Sequence, residues 1–265
     1  MGRRIGCDAR PLDSIAEAAA ILCPKRAADK YPRQLLLHAM KYNARSLAPD
    51  DRSERVKFGI FIYDGVEPID LATYGVLSMA RRVAPAIEIV TIAPAAGVVN
   101  LSNGLRVIAD HGIDDAPRCD VLVITGGPGW EEQSRSAATV AFLRAQPAAT
   151  RIVSVCTGAM ILAAAGMLDG HKATTKREVR PPESSPLELM RQRYPAIEAQ
   201  AASVVDCGTL TTGGGVSLCI DTMLHVIARE LGVPVANETA RILEYSRAWD
   251  ANREQFPAIV DSAYA

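Results

Sequence analysis

Histidine is scarce in this sequence: four occur in 265 residues. His38, His111, His171 and His225 lie far apart, and none has a claim to activate a cysteine nucleophile, so a Cys–His hydrolase mechanism has little support. The six cysteines (Cys7, Cys23, Cys119, Cys156, Cys207, Cys219) form no CxxC pair and no tight Cys/His spacing. That argues against a disulfide framework and against a zinc site. Net charge is −1, so no whole-chain field recruits nucleic acid or an anionic membrane. No run reaches the roughly 18 apolar residues of a membrane span. Neither GxGxxG nor GxxxxGK[ST] occurs, which ranks nucleotide binding low. Repeats and low-complexity segments are absent. The basic start is followed at once by acids, and the apolar Ile15–Cys23 by Pro24-Lys25-Arg26 rather than by small residues. No signal peptide is expected, and a reducing cytoplasm is.

What remains is a chain with 49% hydrophobic residues, ample for a packed core. Residues 1–55 stand apart. Between Met1 and Lys57 there are 12 Lys and Arg against 7 Asp and Glu, a local excess of positive charge in a chain that is −1 overall. Helical patterns fall near Ser14–Leu22 and Arg33–Leu47. The stretch reads as a solvated extension, in preference to a docking arm for a partner, and Ala48–Glu54 reads as the linker.

From Lys57 strands and helices alternate. Lys57–Tyr63 is a strand, Pro68–Arg82 a helix, Ile87–Ala93 a strand, and Val98–Ala109 a hairpin turning at Asn103-Gly104. Asp120–Thr125 is a buried strand ending in Gly126-Gly127-Pro128-Gly129. Ser136–Gln146 is a helix. Further helices are expected over Ser184–Tyr194, Val216–Leu231 and Val235–Tyr245, and short strands over Lys172–Thr175, Ala202–Cys207 and Thr209–Thr212. The expected fold class is α/β: a doubly wound, mostly parallel sheet with helices on both faces. The expected domain runs over 56–250, followed by a polar tail, 251–265.

The chemistry gathers at Arg151–Gly166. A buried strand turns abruptly at Cys156-Thr157-Gly158 into an apolar helix, the outline of a nucleophile elbow with sulfur in place of a hydroxyl. Gly158 permits the sharp turn. The helix directs free N–H groups and its positive dipole end at the thiol, which should lower its pKa and favour thiolate. Gly126 and Gly127, after a neighbouring strand, could add N–H groups to an oxyanion hole with that of Thr157. The Asp64–Asp70 stretch, DGVEPID, follows the first strand and reaches the same sheet edge. Glu67 suits a helix-capping role. Asp70, one turn further on, is placed to face the sulfur as a protonated carboxyl, its pKa raised by burial and the thiolate.

The segments FGIFIYDGVEPIDLAT, DVLVITGGPG, VSVCTGAMILAAAGMLDGHKATT and TTGGGVSLCIDTMLHVIARELG together resemble the ThiJ/PfpI superfamily of flavodoxin-like proteins, from about Lys57 to Tyr245. With Asp at position 70 and Cys-Thr-Gly at 156–158, the pattern looks most like the isonitrile hydratase branch. The resemblance implies Cys156 as nucleophile, Asp70 as the acid held against it, Thr157 as a third essential residue and Gly127 as an oxyanion-type donor. It implies hydration of a small-molecule isocyanide to an N-substituted formamide, without metal or cofactor, in a homodimer. Lys176 stands where many relatives have His, adding a cation to the expected pocket. Cys219 stands where a small residue is common. Other superfamily activities on amides or aldehydes are the alternative, together with a stand-alone sensor domain. The sensor domains of AraC-type regulators share the pattern but continue into a helix-turn-helix, whereas some 20 residues follow Tyr245 here, so DNA binding is not expected.

Overall fold

The computed structural model describes residues 55–261. The extension read over residues 1–55 therefore lies, apart from Arg55, outside the described residues.

Six strands run in parallel through the core: β1 (Val56–Phe61), β2 (Ile87–Ala93), β5 (His111–Gly112), β6 (Val121–Ile124), β7 (Arg151–Ser154) and β11 (Leu210–Gly213). Two more complete the sheet. β10 (Val204–Cys207) pairs antiparallel with β11, and β12 (Ile259–Val260) pairs parallel with β10. The order is β12-β10-β11-β7-β6-β1-β2-β5. Continuous apolar sequence explains the centre: all four residues of β6, and Phe58 to Phe61 of β1, are buried. β3 (Gly97–Asn100) and β4 (Arg106–Ala109) form a separate hairpin. Its turn holds Asn103 at φ 60° and Gly104 at φ 86°, the left-handed pair that Asn-Gly tolerates. Among the described residues, β8 (Lys172–Ala173) pairs with β9 (Glu198–Ala199) alone, outside the main sheet.

Among the described residues, eight helices cover the sheet in two packed groups. α1 (Ala72–Ala80), α6 (Leu218–Glu230) and α7 (Val233–Ile242) pack together. α2 (Trp130–Arg135), α3 (Ala137–Arg144), α4 (Gly158–Ala164) and α5 (Pro186–Arg193) form the other group. α8 (Ser246–Gln255) leans on α7 and buries Trp249. This is the mostly parallel, helix-covered sheet expected from the alternating pattern. None of these helices is long and apolar enough to cross a membrane.

Two expectations are corrected and one element is added. The helix expected over Pro68–Arg82 opens as a 3₁₀ turn, Pro68–Leu71, before α1 begins at Ala72. α2 was not expected, because WEEQSR carries no apolar periodicity. α8 runs through residue 250 and β12 joins the sheet, so residues 251–261 belong to the fold rather than to a polar tail. They continue the helix that buries Trp249 and satisfy the outer edge of β10.

The chain order decides where a site forms. From β1 it moves outward to β2, then returns to the other side of β1 as β6 and continues to β7. At such a reversal the loops after neighbouring strands diverge and leave a crevice at their C-terminal ends. The loops after β1, β6, β7 and β11 all open there.

Candidate active site

Cys156 sits two residues past β7, at φ 52°. A left-handed conformation is unfavourable for a side chain with a Cβ, and its surroundings hold it in place. The Cys156 N–H donates to the Gly214 carbonyl at 3.0 Å, and its carbonyl accepts from Thr175 Oγ1 at 2.7 Å. Gly158 is required by close approach: a Cβ there would stand 2.2 Å from the Ile124 carbonyl oxygen. The expected glycine at the elbow thus packs the helix start onto β6; it does not line the cavity.

Asp70 enters from the 3₁₀ turn after β1. It is fully buried, and Oδ2 accepts the Gly126 N–H at 2.7 Å. Oδ1 is buried without a well-directed hydrogen bond. The Cys156 thiol is the side chain that hydrogen-bonds this carboxyl. Burial raises the Asp70 pKa to about 7, with a smaller push from Glu67; the Gly126 N–H, the thiol and Lys176 oppose it. The rise and its cause in burial were expected; the Cys156 group, expected to add to the rise as a thiolate, lowers it through a hydrogen bond.

The sulfur departs from expectation. Burial, and then the Asp70 charge, push the Cys156 thiol up to about 12. N–H groups of Val216 and Thr157 and the charge of Lys176 pull it down, but they are outweighed. The helix end is present; desolvation is the larger effect. Both groups are raised, each by burial first, so the form of the pair with both ionised is disfavoured.

The glycine turn after β6 also differs. The Gly126 N–H is taken by Asp70, and the Gly127 N–H donates to Thr157 Oγ1 at 2.8 Å. Neither is free for an oxyanion. The donors that face the sulfur are the backbone N–H groups of Thr157 and Val216. Val216 was missed. It follows Gly213-Gly214-Gly215 at φ 56°, a conformation a β-branched residue rarely adopts, so its chemistry gave no warning. Glu67 makes no side-chain cap and instead lines the cavity.

A cavity of about 650 Å³ opens over Cys156 and Thr157. Ile69, Trp130, Val179 and Leu189 give it apolar walls, and Glu67, Glu131, Glu183, Lys176 and Arg193 give it charge. Lys176 bends back so that its ammonium donates to the Glu178 carbonyl. Among the described residues, no histidine lines the cavity. His225 instead lies 2.8 Å from Asp206 in an ion-pair cluster with Arg151 and Arg229, beside the start of β7 and away from the elbow. Cys219 is packed against the Ile69 carbonyl, behind Asp70. Among the described residues, no group of three His, Cys, Asp or Glu side chains gathers as metal ligands would.

The DJ-1/PfpI family model matches residues 56–229, which carry the whole of this constellation. The chain belongs to the DJ-1/PfpI family. Within that family it is similar to the isonitrile hydratase of Pseudomonas putida: 31% identity over 197 residues, covering 73% of this chain and 80% of that enzyme. It is also similar to the transcriptional regulator GbdR of Pseudomonas aeruginosa, 32% identical over 148 residues, but it spans only 38% of that regulator. Among solved DJ-1/PfpI structures, a family protein from Pseudomonas syringae superposes with a TM-score of 0.63 at 23% identity, covering 80% of this chain and 93% of that one. A DJ-1 superfamily protein from Salmonella typhimurium superposes at 0.62 and 23%, covering 72% of this chain and 98% of its own. These superpositions establish the DJ-1/PfpI fold; the chemistry rests on the residues.

Proposed function

We propose that this DJ-1/PfpI chain is a cysteine-dependent hydratase acting on an isocyanide. One observation carries the reading: a buried carboxyl meets a buried thiol at the floor of a partly apolar cavity, with no histidine among the described residues that line it. An isocyanide needs that pair. Its terminal carbon accepts a nucleophile and a proton in the same step.

The thiol proton moves to Asp70 as the Sγ of Cys156 attacks that carbon, and Asp70 passes it on to the same carbon. The product is a thioimidate, R–N=CH–S–Cys156, facing an ionised Asp70. Water then adds across C=N. Its oxygen bonds to carbon, one proton goes to nitrogen and the other to Asp70. The C–S bond breaks as C=O forms, releasing the N-substituted formamide and restoring the one-proton pair. The Thr157 and Val216 N–H groups hold the sulfur as it gains and loses charge. Thr157 Oγ1 holds the Gly127 turn, and through it the Gly126 N–H that fixes Asp70. The apolar walls accept the R group. Similarity to the Pseudomonas putida isonitrile hydratase points the same way.

The test is formamide production from cyclohexyl isocyanide by wild type, Cys156→Ala and Asp70→Asn. Turnover lost in both variants supports the assignment; a folded wild type without turnover overturns it. A second reading, a stand-alone sensor domain, draws on the likeness to GbdR. It needs the cavity but not the reactive sulfur, so ligand binding that survives Cys156→Ala, without turnover, would favour it.

A further inference from the structure

The outer wall of the cavity is one irregular segment. Lys176, Val179, Glu183, Ser184 and Pro186 all come from residues 176–186 and all line the cavity. Before α5 this stretch contains neither helix nor strand. Among the described residues few backbone bonds hold it: Leu187 N–H donates to the Lys176 carbonyl at 3.0 Å, and Glu183 N–H to the Arg180 carbonyl at 3.0 Å. A wall so lightly bonded needs an external brace to keep one shape.

The brace comes from the far end of the chain. The Arg177 guanidinium lies over the Phe256 ring, 4.1 Å from its centroid. That is close contact for a cation on an aromatic face. Phe256 is itself anchored at both sides. Its N–H donates to the Asn252 carbonyl at 2.7 Å, closing α8, and its carbonyl accepts from Ser203 Oγ at 2.7 Å. Just beyond it, β12 pairs with β10. Arg177 adds an ion pair to Glu178 at 3.1 Å, within its own loop. The one aromatic partner that Arg177 has among the described residues thus belongs to a segment that begins well after residue 229, where the DJ-1/PfpI match ends.

We infer that Phe256 and Arg177 are positioning residues that set the outer wall of the cavity, and so decide how bulky a substrate can approach Cys156. The specificity of this chain is then set by a segment beyond residue 229, where the family model ends. Neither residue touches the reacting atoms. Loosening their contact should change which molecules reach the sulfur and leave the chemistry at the sulfur alone.

This role rests on Cys156 being the reacting group, and its test does not require hydratase turnover. The full chain is treated with iodoacetamide, which is small, and with N-phenylmaleimide, which is bulky. The rate of labelling at Cys156 is read by peptide mass spectrometry. Phe256→Leu keeps an apolar side chain but removes the π face; Phe256→Trp restores one; Arg177→Met removes the cation and keeps a stem. The ratio of bulky to small labelling should change by about three- to tenfold in Phe256→Leu and Arg177→Met. It should stay near the wild-type value in Phe256→Trp. If isocyanide turnover is present, KM for cyclohexyl isocyanide should move in the same two variants while kcat holds. An unchanged ratio in Arg177→Met, or in a folded Phe256→Leu, overturns the inference. So does an equal change with both reagents, which would mean a general loss of order. Because labelling needs only the sulfur and the wall in front of it, a chain without hydratase activity would still give the same ratios.

Discussion

Thr157 Oγ1 accepts the Gly127 N–H at 2.8 Å and lies 3.3 Å from the Gly127 carbonyl. The residue after the sulfur is therefore bonded to the turn that holds the acid. β6 and β7 are neighbours, so this single hydroxyl fixes the spacing of their two loops. A side chain whose family resemblance marks it as essential thus has a structural task.

Thr157→Val should be costly for that reason. The methyl fills the space, but the Gly127 N–H loses its acceptor inside the protein. An unsatisfied buried donor costs about 1–3 kcal/mol, which chemical denaturation would register. A turn displaced by a fraction of an ångström also moves the Gly126 N–H from Asp70. Turnover should fall by up to about 100-fold. Thr157→Ser restores the hydroxyl and should recover most of both. Full activity in Thr157→Val would remove the hydroxyl from any role in the site.

The pH profile follows from the shared proton. The competent pair carries one proton, so the fully protonated pair must lose one before reaction. Asp70 is raised to about 7 and Cys156 further, to about 12. Activity should therefore rise with pH through about 7 and then stay level toward about pH 9. On the acid side, kcat/KM should drop about tenfold per pH unit. Glu67, Lys176, the Cys156 thiol and the Gly126 N–H are the groups that set this limb. A profile flat from about pH 5 to about pH 9 would mean that the carboxyl does not control the reactive proton.

The same carboxyl has a cost for the fold. Its native pKa is raised, so folding favours the protonated form. That contribution is fully present below the usual carboxylate pKa and is lost as pH rises through about 7. Asp70→Asn removes the titration while keeping an oxygen for the Gly126 N–H. The variant should match wild type in acid and exceed it in stability above neutrality. The shift from 3.8 to about 7 bounds the gain at on the order of 4 kcal/mol. Urea midpoints measured on both sides of neutrality would show it. A variant more stable than the native protein and without turnover would mark Asp70 as retained for chemistry. Equal midpoints at alkaline pH would contradict a buried carboxyl held above its ordinary pKa.

Much of this architecture is legible in the sequence, and the failures have physical causes. β2 falls on Ile87–Ala93 as expected, because a mostly apolar run between turns admits one length of strand. The elbow is visible because strand, cysteine and glycine occur in the one order that makes it. α2 is invisible because it is six mostly polar residues, and the helix forms on the turn after Gly129, not on its own pattern. The glycine turn is easily located, yet its N–H groups do not serve an oxyanion. Sequence shows where a backbone can approach; it does not show that Asp70 and Thr157 will take those donors first. The thiol pKa runs against expectation for a related reason. A helix end is written in the chain, whereas complete burial depends on everything packed around it.

Glu67 offers a test that separates electrostatics from packing. It lines the cavity, makes no cap, and its charge helps raise Asp70. Glu67→Gln keeps the shape and removes that charge. With one fewer negative neighbour, Asp70 ionises more readily, so the acid limb of kcat/KM should move to lower pH. Burial is the larger cause of the raised pKa and is untouched, so the shift should be less than about one unit. Rate on the plateau should stay close to wild type, because neither the sulfur nor the proton donor has changed. A limb that moves to higher pH would reverse the sign of the Glu67 interaction. A fall in plateau rate with an unmoved limb would instead make Glu67 a direct contact of the substrate in the cavity.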